Sequence, residues 1–195
     1  MGMGRPREFD MDRALDHALE VFWRNGYEGT SIAELTQAMG INPPSLYAAF
    51  GNKEELFRKA LQRYVEQHGR YWDDALAAPT ARGMVEHLLR EAANFLSNEC
   101  NPRGCLMVRS VVSCSDAAEA IQHQLASQRS EAEARVRARL ERAKDEGLMP
   151  PDLDPGDFAR YVMAVMEGMA VRAAGGAGRQ ELEQIGEMAL RTWPA

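Results

Sequence analysis

Cysteine is scarce in this chain. Cys100, Cys105 and Cys114 are the only three among 195 residues, and none forms a CxxC pair. An odd, widely set trio excludes a secreted disulfide framework and a zinc module, and predicts thiols. No apolar run reaches the roughly 20 residues that a bilayer-crossing helix needs. The segment Met1-Gly2-Met3-Gly4-Arg5-Pro6-Arg7 lacks the apolar stretch of a secretory signal, so a cytoplasmic protein with no membrane partner is expected. Catalytic signatures are missing too. His17, His68, His87 and His123 have no paired metal-ligand spacing, and GxSxG does not occur. Gly175-Gly176-Ala177-Gly178 follows a helical stretch, where a phosphate loop would follow a strand. A small helical enzyme is thus the weaker reading, and no metal or cofactor is expected. Positive charge is also limited: 23 Lys and Arg stand against 29 Asp and Glu, a net charge of -6. That argues against an indiscriminately basic nucleic-acid coat and leaves room for a locally basic face.

What is present favours helix. Hydrophobic residues make up 45% and charged residues 27%, with Ala, Glu, Arg, Leu and Met prominent, so an all-α fold is expected. Asp10 can cap a first helix with Leu15, Ala18, Leu19, Phe22 and Trp23 on one face, ending at Asn25-Gly26. Ser31 and Glu34 have capping-box spacing for a short second helix ending at Gly40. Pro43 suits the first turn of a third, which carries Ser45-Leu46-Tyr47-Ala48-Ala49-Phe50 to Gly51. Asn52 can cap a long fourth helix whose stripe runs on towards Tyr71-Trp72. Further helices are expected around Leu88, from Asn101-Pro102, from Ser115-Asp116 to Gly147 with Glu131/Arg135 and Glu133/Arg137 at paired offsets, around Val165, and around Ile185.

Three short capped helices, the second and third joined by Met39-Gly40-Ile41-Asn42, have the layout of a helix-turn-helix DNA reader. Thr30-Ser31-Ile32-Ala33, Gly40-Ile41, Leu46-Tyr47, Phe50 and Lys53-Glu54-Glu55-Leu56 closely resemble the N-terminal signature of the TetR family of bacterial regulators. The strict resemblance spans roughly Arg7 to Leu61. It implies a helix-turn-helix domain with an N-terminal arm over 1–52, and a larger helical signal-sensing and dimerisation domain over 53–195. It implies a repressor that binds a palindromic, double-stranded operator as a homodimer and is released by a small-molecule inducer.

By the same resemblance, Pro43 to Phe50 is the recognition helix, and Tyr47 and Lys53 contact phosphates. Thr30 or Ser31 is expected to add a phosphate contact at the start of the second helix, where the partial positive charge favours an anion. Base reading then falls to Asn42, Pro44, Ser45 and Ala48. Here the chain departs from the common family pattern: Pro43-Pro44 replaces a basic residue plus glycine, and Ala48-Ala49 replaces bulkier side chains. Arg5 and Arg7 can supplement this thin set from the adjacent minor groove, or they belong to a tail with no DNA role.

Two half-sites require two subunits. Val162, Val165, Met166, Gly168 and Met169 on one helix, with Leu182, Ile185 and Met188 on the next, are the expected four-helix dimer surface. The resemblance places an inducer pocket among the middle helices. Tyr71, Trp72, Phe95, Leu96, Met107 and Val111 are expected as its apolar lining, with His87, Asn94, Gln122 and His123 as orienting groups. A thiol-responsive regulator is the alternative. Cys105 stands near a helix start with Arg103 close in sequence, while Cys114, nine residues on, falls on the opposite face, so a disulfide would need Cys100 or a partner subunit.

Overall fold

The computed structural model describes residues 9–113 and 118–193, and within them the chain forms ten helices and no strand. Helix α1 (Met11–Asn25) begins where the Asp10 carboxylate accepts from the Asp12 and Arg13 amides. Helices α2 (Ile32–Met39) and α4 (Lys53–His68) both start with reciprocal capping boxes, Ser31 with Glu34 and Asn52 with Glu55. Helix α3 (Pro43–Phe50) takes its two prolines in the first turn, where a missing N–H costs nothing. Gly40 ends α2 at φ 67°, a left-handed conformation that glycine adopts freely, and so sets the tight turn into α3.

These four helices share one core. Phe22 and Trp23 of α1, Leu35 of α2, Leu46 and Phe50 of α3, and Leu56, Phe57 and Leu61 of α4 are all buried. Leu46 is wholly enclosed, so truncation to Ala would cost about 2–5 kcal/mol and free the third helix from its seat.

The remaining helices are α5 (Arg70–Leu76), α6 (Ala81–Leu96), α7 (Leu106–Ser113), α8 (Glu119–Asp145), α9 (Pro155–Ala174) and α10 (Arg179–Leu190). A second core joins Leu88 and Leu89 of α6, Val136 and Leu140 of α8, Val162 and Met169 of α9, and Leu182 of α10. Trp193 closes its far end, edge-on to Phe158 at 5.1 Å between ring centroids. Phe95 and Cys105 are half-buried and pack against both cores.

The boundaries differ from expectation in three places. The α4 pattern breaks at Gly69, so Tyr71 and Trp72 stand on the separate α5. Helix α7 starts at Leu106, four residues past Pro102, because Gly104 adopts φ 89° and cannot belong to a right-handed helix. Helix α8 is described from Glu119; the expected start at Ser115-Asp116 lies outside the described residues. The α8 charges also pair differently: Arg135 reaches Asp73 on α5, and Arg137 bonds Glu141 at 2.7 Å. Arg139 is buried, and its guanidinium donates to the Ala78 and Pro79 carbonyls at 3.1 Å each.

Candidate nucleic-acid interface and internal cavity

Helix α3 is anchored inward by Leu46 and Phe50 and leaves Pro44, Tyr47 and Ala48 on the outside. Tyr47 is 49% exposed, unusual for a large aromatic with no structural need to face water. Ser45 is half-buried. The Asn42 side-chain oxygen accepts from the Ser45 amide at 2.9 Å, which commits one of its lone pairs to capping. Lys53 opens α4 beside this face, its ammonium 4.5 Å from the Tyr27 ring centroid.

Ser31 is exposed at the head of α2, where its hydroxyl donates to Glu34 Oε2 at 2.7 Å. The Ser31 amide and hydroxyl, and then the charge of Lys53, hold Glu34 below the usual carboxylate range. Thr30 corrects the sequence expectation. It is 2% exposed and its hydroxyl donates to the Gly26 carbonyl at 2.7 Å, so it closes the α1–α2 turn and does not face outward. Arg5, Arg7 and Cys114 lie outside the described residues.

Ion pairs and a buried hydrogen bond are among the contacts that fasten the head to the body. Arg63 of α4 pairs with Asp12 and, at 3.0 Å, with Asp16 of α1. The Trp23 indole N–H donates to the Gly104 carbonyl at 2.9 Å in a buried setting. Its ring stacks on Phe95 at 5.5 Å and meets Tyr64 edge-on at 4.8 Å.

Behind Trp23, between α4 and α9, lies a cavity of about 270 Å³. Tyr71, Trp72, Phe95, Leu96 and Met107 line it as the sequence suggested. Five expected lining residues are placed elsewhere. His123 is exposed on the outer face of α8, 3.5 Å from Glu119, and Asn94 donates to Glu91 at 3.2 Å. Val111 packs against the N-terminal core, while His87 and Gln122 are half-buried outside the cavity wall.

Sequence reasoning missed Tyr64, His68, Gln128 and the Arg129–Glu167 pair, and named Cys105 as a candidate thiol sensor without placing it in this wall, where all of them stand. Tyr64 and His68 are one helical turn apart and precede Tyr71 on the same stripe, a signal that could have been extended backwards. Burial, together with neighbouring Cys105 and Tyr71, pushes the Tyr64 phenol well above its ordinary value. Burial foremost does the same to Tyr71 and keeps the His68 imidazole below the usual histidine value. Cys100 and Cys105 are both free thiols, the first exposed and the second half-buried in the wall. Arg103 turns away from Cys105 and donates to the Gly176 carbonyl at 3.0 Å.

The C-terminal apolar stripes divide into two sets. Val162, Met169 and Leu182 are buried in their own subunit, and Met166 lines the cavity, which removes these four from the expected dimer surface. On α9 the buried row lies opposite Asp157, Arg160, Glu167 and Arg172, and on α10 Leu182 lies on the apolar side of an otherwise polar helix, so both rows face the core. Tyr161, Val165, Ile185 and Met188 instead surround an outer depression, with Gly168 exposed on the same helix as Val165. No described helix is long and apolar enough to cross a membrane.

Comparison with known proteins agrees with this geometry. The family model described as bacterial regulatory proteins, tetR family, matches residues 14–60, and the model described as tetracyclin repressor-like, C-terminal domain, matches residues 79–185. The chain is 34% identical over 193 residues to the HTH-type transcriptional repressor ComR of Escherichia coli, covering 98% of this chain and 92% of that protein. It is 32% identical over 162 residues to the HTH-type transcriptional regulator YezE of Bacillus subtilis, covering 82% of this chain and 84% of the relative. A solved cysteine mutant of the TetR family regulator CifR, complexed with 26 bp double-strand operator DNA, superposes with a TM-score of 0.92 at 45% identity. That alignment covers 98% of this chain and all of the other. With both halves matched by the family's models and the full length shared with its regulators, the chain belongs to the TetR family of bacterial transcription regulators.

Proposed function

We propose that this chain is a homodimeric repressor that grips a palindromic operator with α3 of each subunit and lets go when a small molecule fills the cavity. The observation that carries the reading is the exposed Tyr47 and the neighbouring Lys53 on a face whose supporting helix α1 is tied, through Trp23, to the cavity wall. Tyr47, Lys53 and Ser31 serve as phosphate donors, which position the head without reading sequence. Asn42, Pro44, Ser45 and Ala48 meet base edges, the Asn42 amide nitrogen as donor and the Ala48 methyl as an apolar contact. Arg5 and Arg7 supply charge from the arm. Because α3 offers few strong donors, much of the affinity rests on phosphate contacts and falls steeply with salt.

Tyr161, Val165, Gly168, Ile185 and Met188 form the surface that meets a twofold mate. That mate places the two reading heads about one helical turn of DNA apart, roughly 34 Å. An effector in the cavity then favours the unbound spacing of the heads by a coupling of about 1–3 kcal/mol. Selection from a random duplex library, followed by footprinting of the winner, tests this. A palindromic consensus with two protected half-sites is expected; no enrichment by folded protein would sink the proposal.

A further inference from the structure

We propose that α3 reads its half-site chiefly through the C5-methyl groups of thymine, with Pro44 and Ala48 as the residues that determine specificity. This rests on the operator-binding reading above and adds the chemical feature of the bases that is recognised.

The reading helix carries no charge. From Ile41 to Asn52 the chain has no Asp, Glu, Lys, Arg or His. Guanine is most often read by a basic side chain that reaches its N7 and O6, and cytosine by a carboxylate that accepts from its amino group. Neither kind of side chain stands on α3.

The backbone at the front of α3 does not make up the deficit. A helix start ordinarily presents free amides to phosphates or to acceptor atoms. Pro43 and Pro44 take the first two positions and have no N–H to give. The third amide, that of Ser45, is held by the Asn42 side-chain oxygen at 2.9 Å and the Asn42 carbonyl at 3.1 Å, and the Leu46 amide by the same carbonyl at 3.1 Å. Asn42 therefore closes the helix end, and its amide nitrogen and the half-buried Ser45 hydroxyl remain as the polar supplement.

What this end turns outward is carbon. Pro44 and Ala48 are exposed, one helical turn apart on one face, while Leu46 and Phe50 hold the other side in the core. The thymine methyl is the apolar group that base pairs present in the major groove, and small apolar side chains are its partners. Pro44 and Ala48 stand about 6 Å apart along the helix, enough to meet thymines one or two base steps apart. A cytosine methylated at C5 carries the same methyl at the same place in the groove, so it substitutes for a contacted thymine, and operator affinity responds to cytosine methylation.

The test uses the full-length protein and a duplex selected from a random library, resynthesised with deoxyuridine in place of each thymine in turn. That exchange deletes the methyl and keeps the pairing. Anisotropy should find half-site thymines whose methyl is worth about fourfold in affinity, as for one buried methyl-sized group, and no effect in the flanks. Ala48→Gly should abolish the uracil penalty at one such position and Pro44→Ser at another. Any general weakening of the helix cancels, because each variant is compared on the two duplexes. Cytosine placed at a contacted thymine should weaken binding, and 5-methylcytosine should recover about the same fourfold. Equal affinity for thymine and uracil operators, a penalty that neither substitution moves, or a selected half-site without thymine would each overturn the proposal. Folded protein that selects no duplex counts against the regulator reading and this one together, whereas a selected operator indifferent to uracil leaves the regulator reading standing.

Discussion

The Trp23 indole and the Gly104 carbonyl, 81 residues apart in sequence, meet in a buried hydrogen bond of 2.9 Å. It joins the first helix of the reading head to the residue that precedes a thiol in the cavity wall. Gly104 is pinned from behind as well: at φ 89°, an added Cβ would stand 3.1 Å from the Ala170 carbonyl oxygen and 3.1 Å from the Ala174 methyl. The bond thus ties α1 to a backbone position that lies close against α9.

Trp23→Phe keeps most of the ring and deletes the donor. Loss of about 1–3 kcal/mol of folding stability is expected, since the Gly104 carbonyl stays buried without its partner. Urea unfolding measures this, and effector-driven operator release should weaken in the same variant. Unchanged release would show that the head is moved by another route.

Lys53→Ala should lower operator affinity on every sequence alike and reduce the slope of log K against log salt by about one. Tyr47→Phe should weaken binding while leaving that slope in place, because it removes a neutral donor. Anisotropy across a salt series separates the two. A Lys53→Ala variant with wild-type slope would place its ammonium away from phosphate.

Met188 is 58% exposed beside Val165 and Ile185, so Met188→Arg is tolerated by the isolated subunit and opposed by a twofold mate. Sedimentation should find a folded monomer with helical circular dichroism intact and operator affinity lost. A variant that remains dimeric would move the interface to another face.

His68 sits among the rings of Trp23, Tyr64 and Phe95, at 5.1, 5.4 and 5.1 Å. Its pKa is lower in the folded chain than in the unfolded one, so the unfolded state takes up the proton first as pH falls. The stabilising contribution is complete above the unfolded value near 6.5 and is lost as pH drops through the folded one. Urea midpoints should therefore decline below about pH 6.5, and His68→Phe should flatten that part of the curve. Parallel curves for the two proteins would assign the decline to other groups.

Features set by near neighbours in the chain were legible in the sequence. The caps at Asp10, Ser31 and Asn52, the glycine turn at Gly40 and the proline start of α3 each follow from a few adjacent residues. Features set by distant segments were not. Thr30 and Ser31 read alike in sequence, and only the Gly26 carbonyl decides that the first turns inward. The charges of α9, Asp157, Arg160, Glu167 and Arg172, gather on one side, so telling buried Val162 from half-buried Val165 at its edge needed finer phasing than a list of apolar residues gives. His123 had the chemistry of an orienting group, but α8 places it on the solvent side. Cys105 and Gln128 join the same wall from α7's start and mid-α8, a juxtaposition no local pattern encodes.

The three tryptophans are spread unevenly around the cavity: Trp72 lines it, Trp23 stands one layer behind, stacked on Phe95, and Trp193 caps the opposite end of the second core. The molecule therefore carries its own optical gauge. A guest in the cavity alters the surroundings of the first directly and of the second through Phe95, while the third serves as a steady reference. Intrinsic emission thus offers an unlabelled readout of occupancy and, with Trp72 replaced by Phe, of how far the disturbance travels towards DNA.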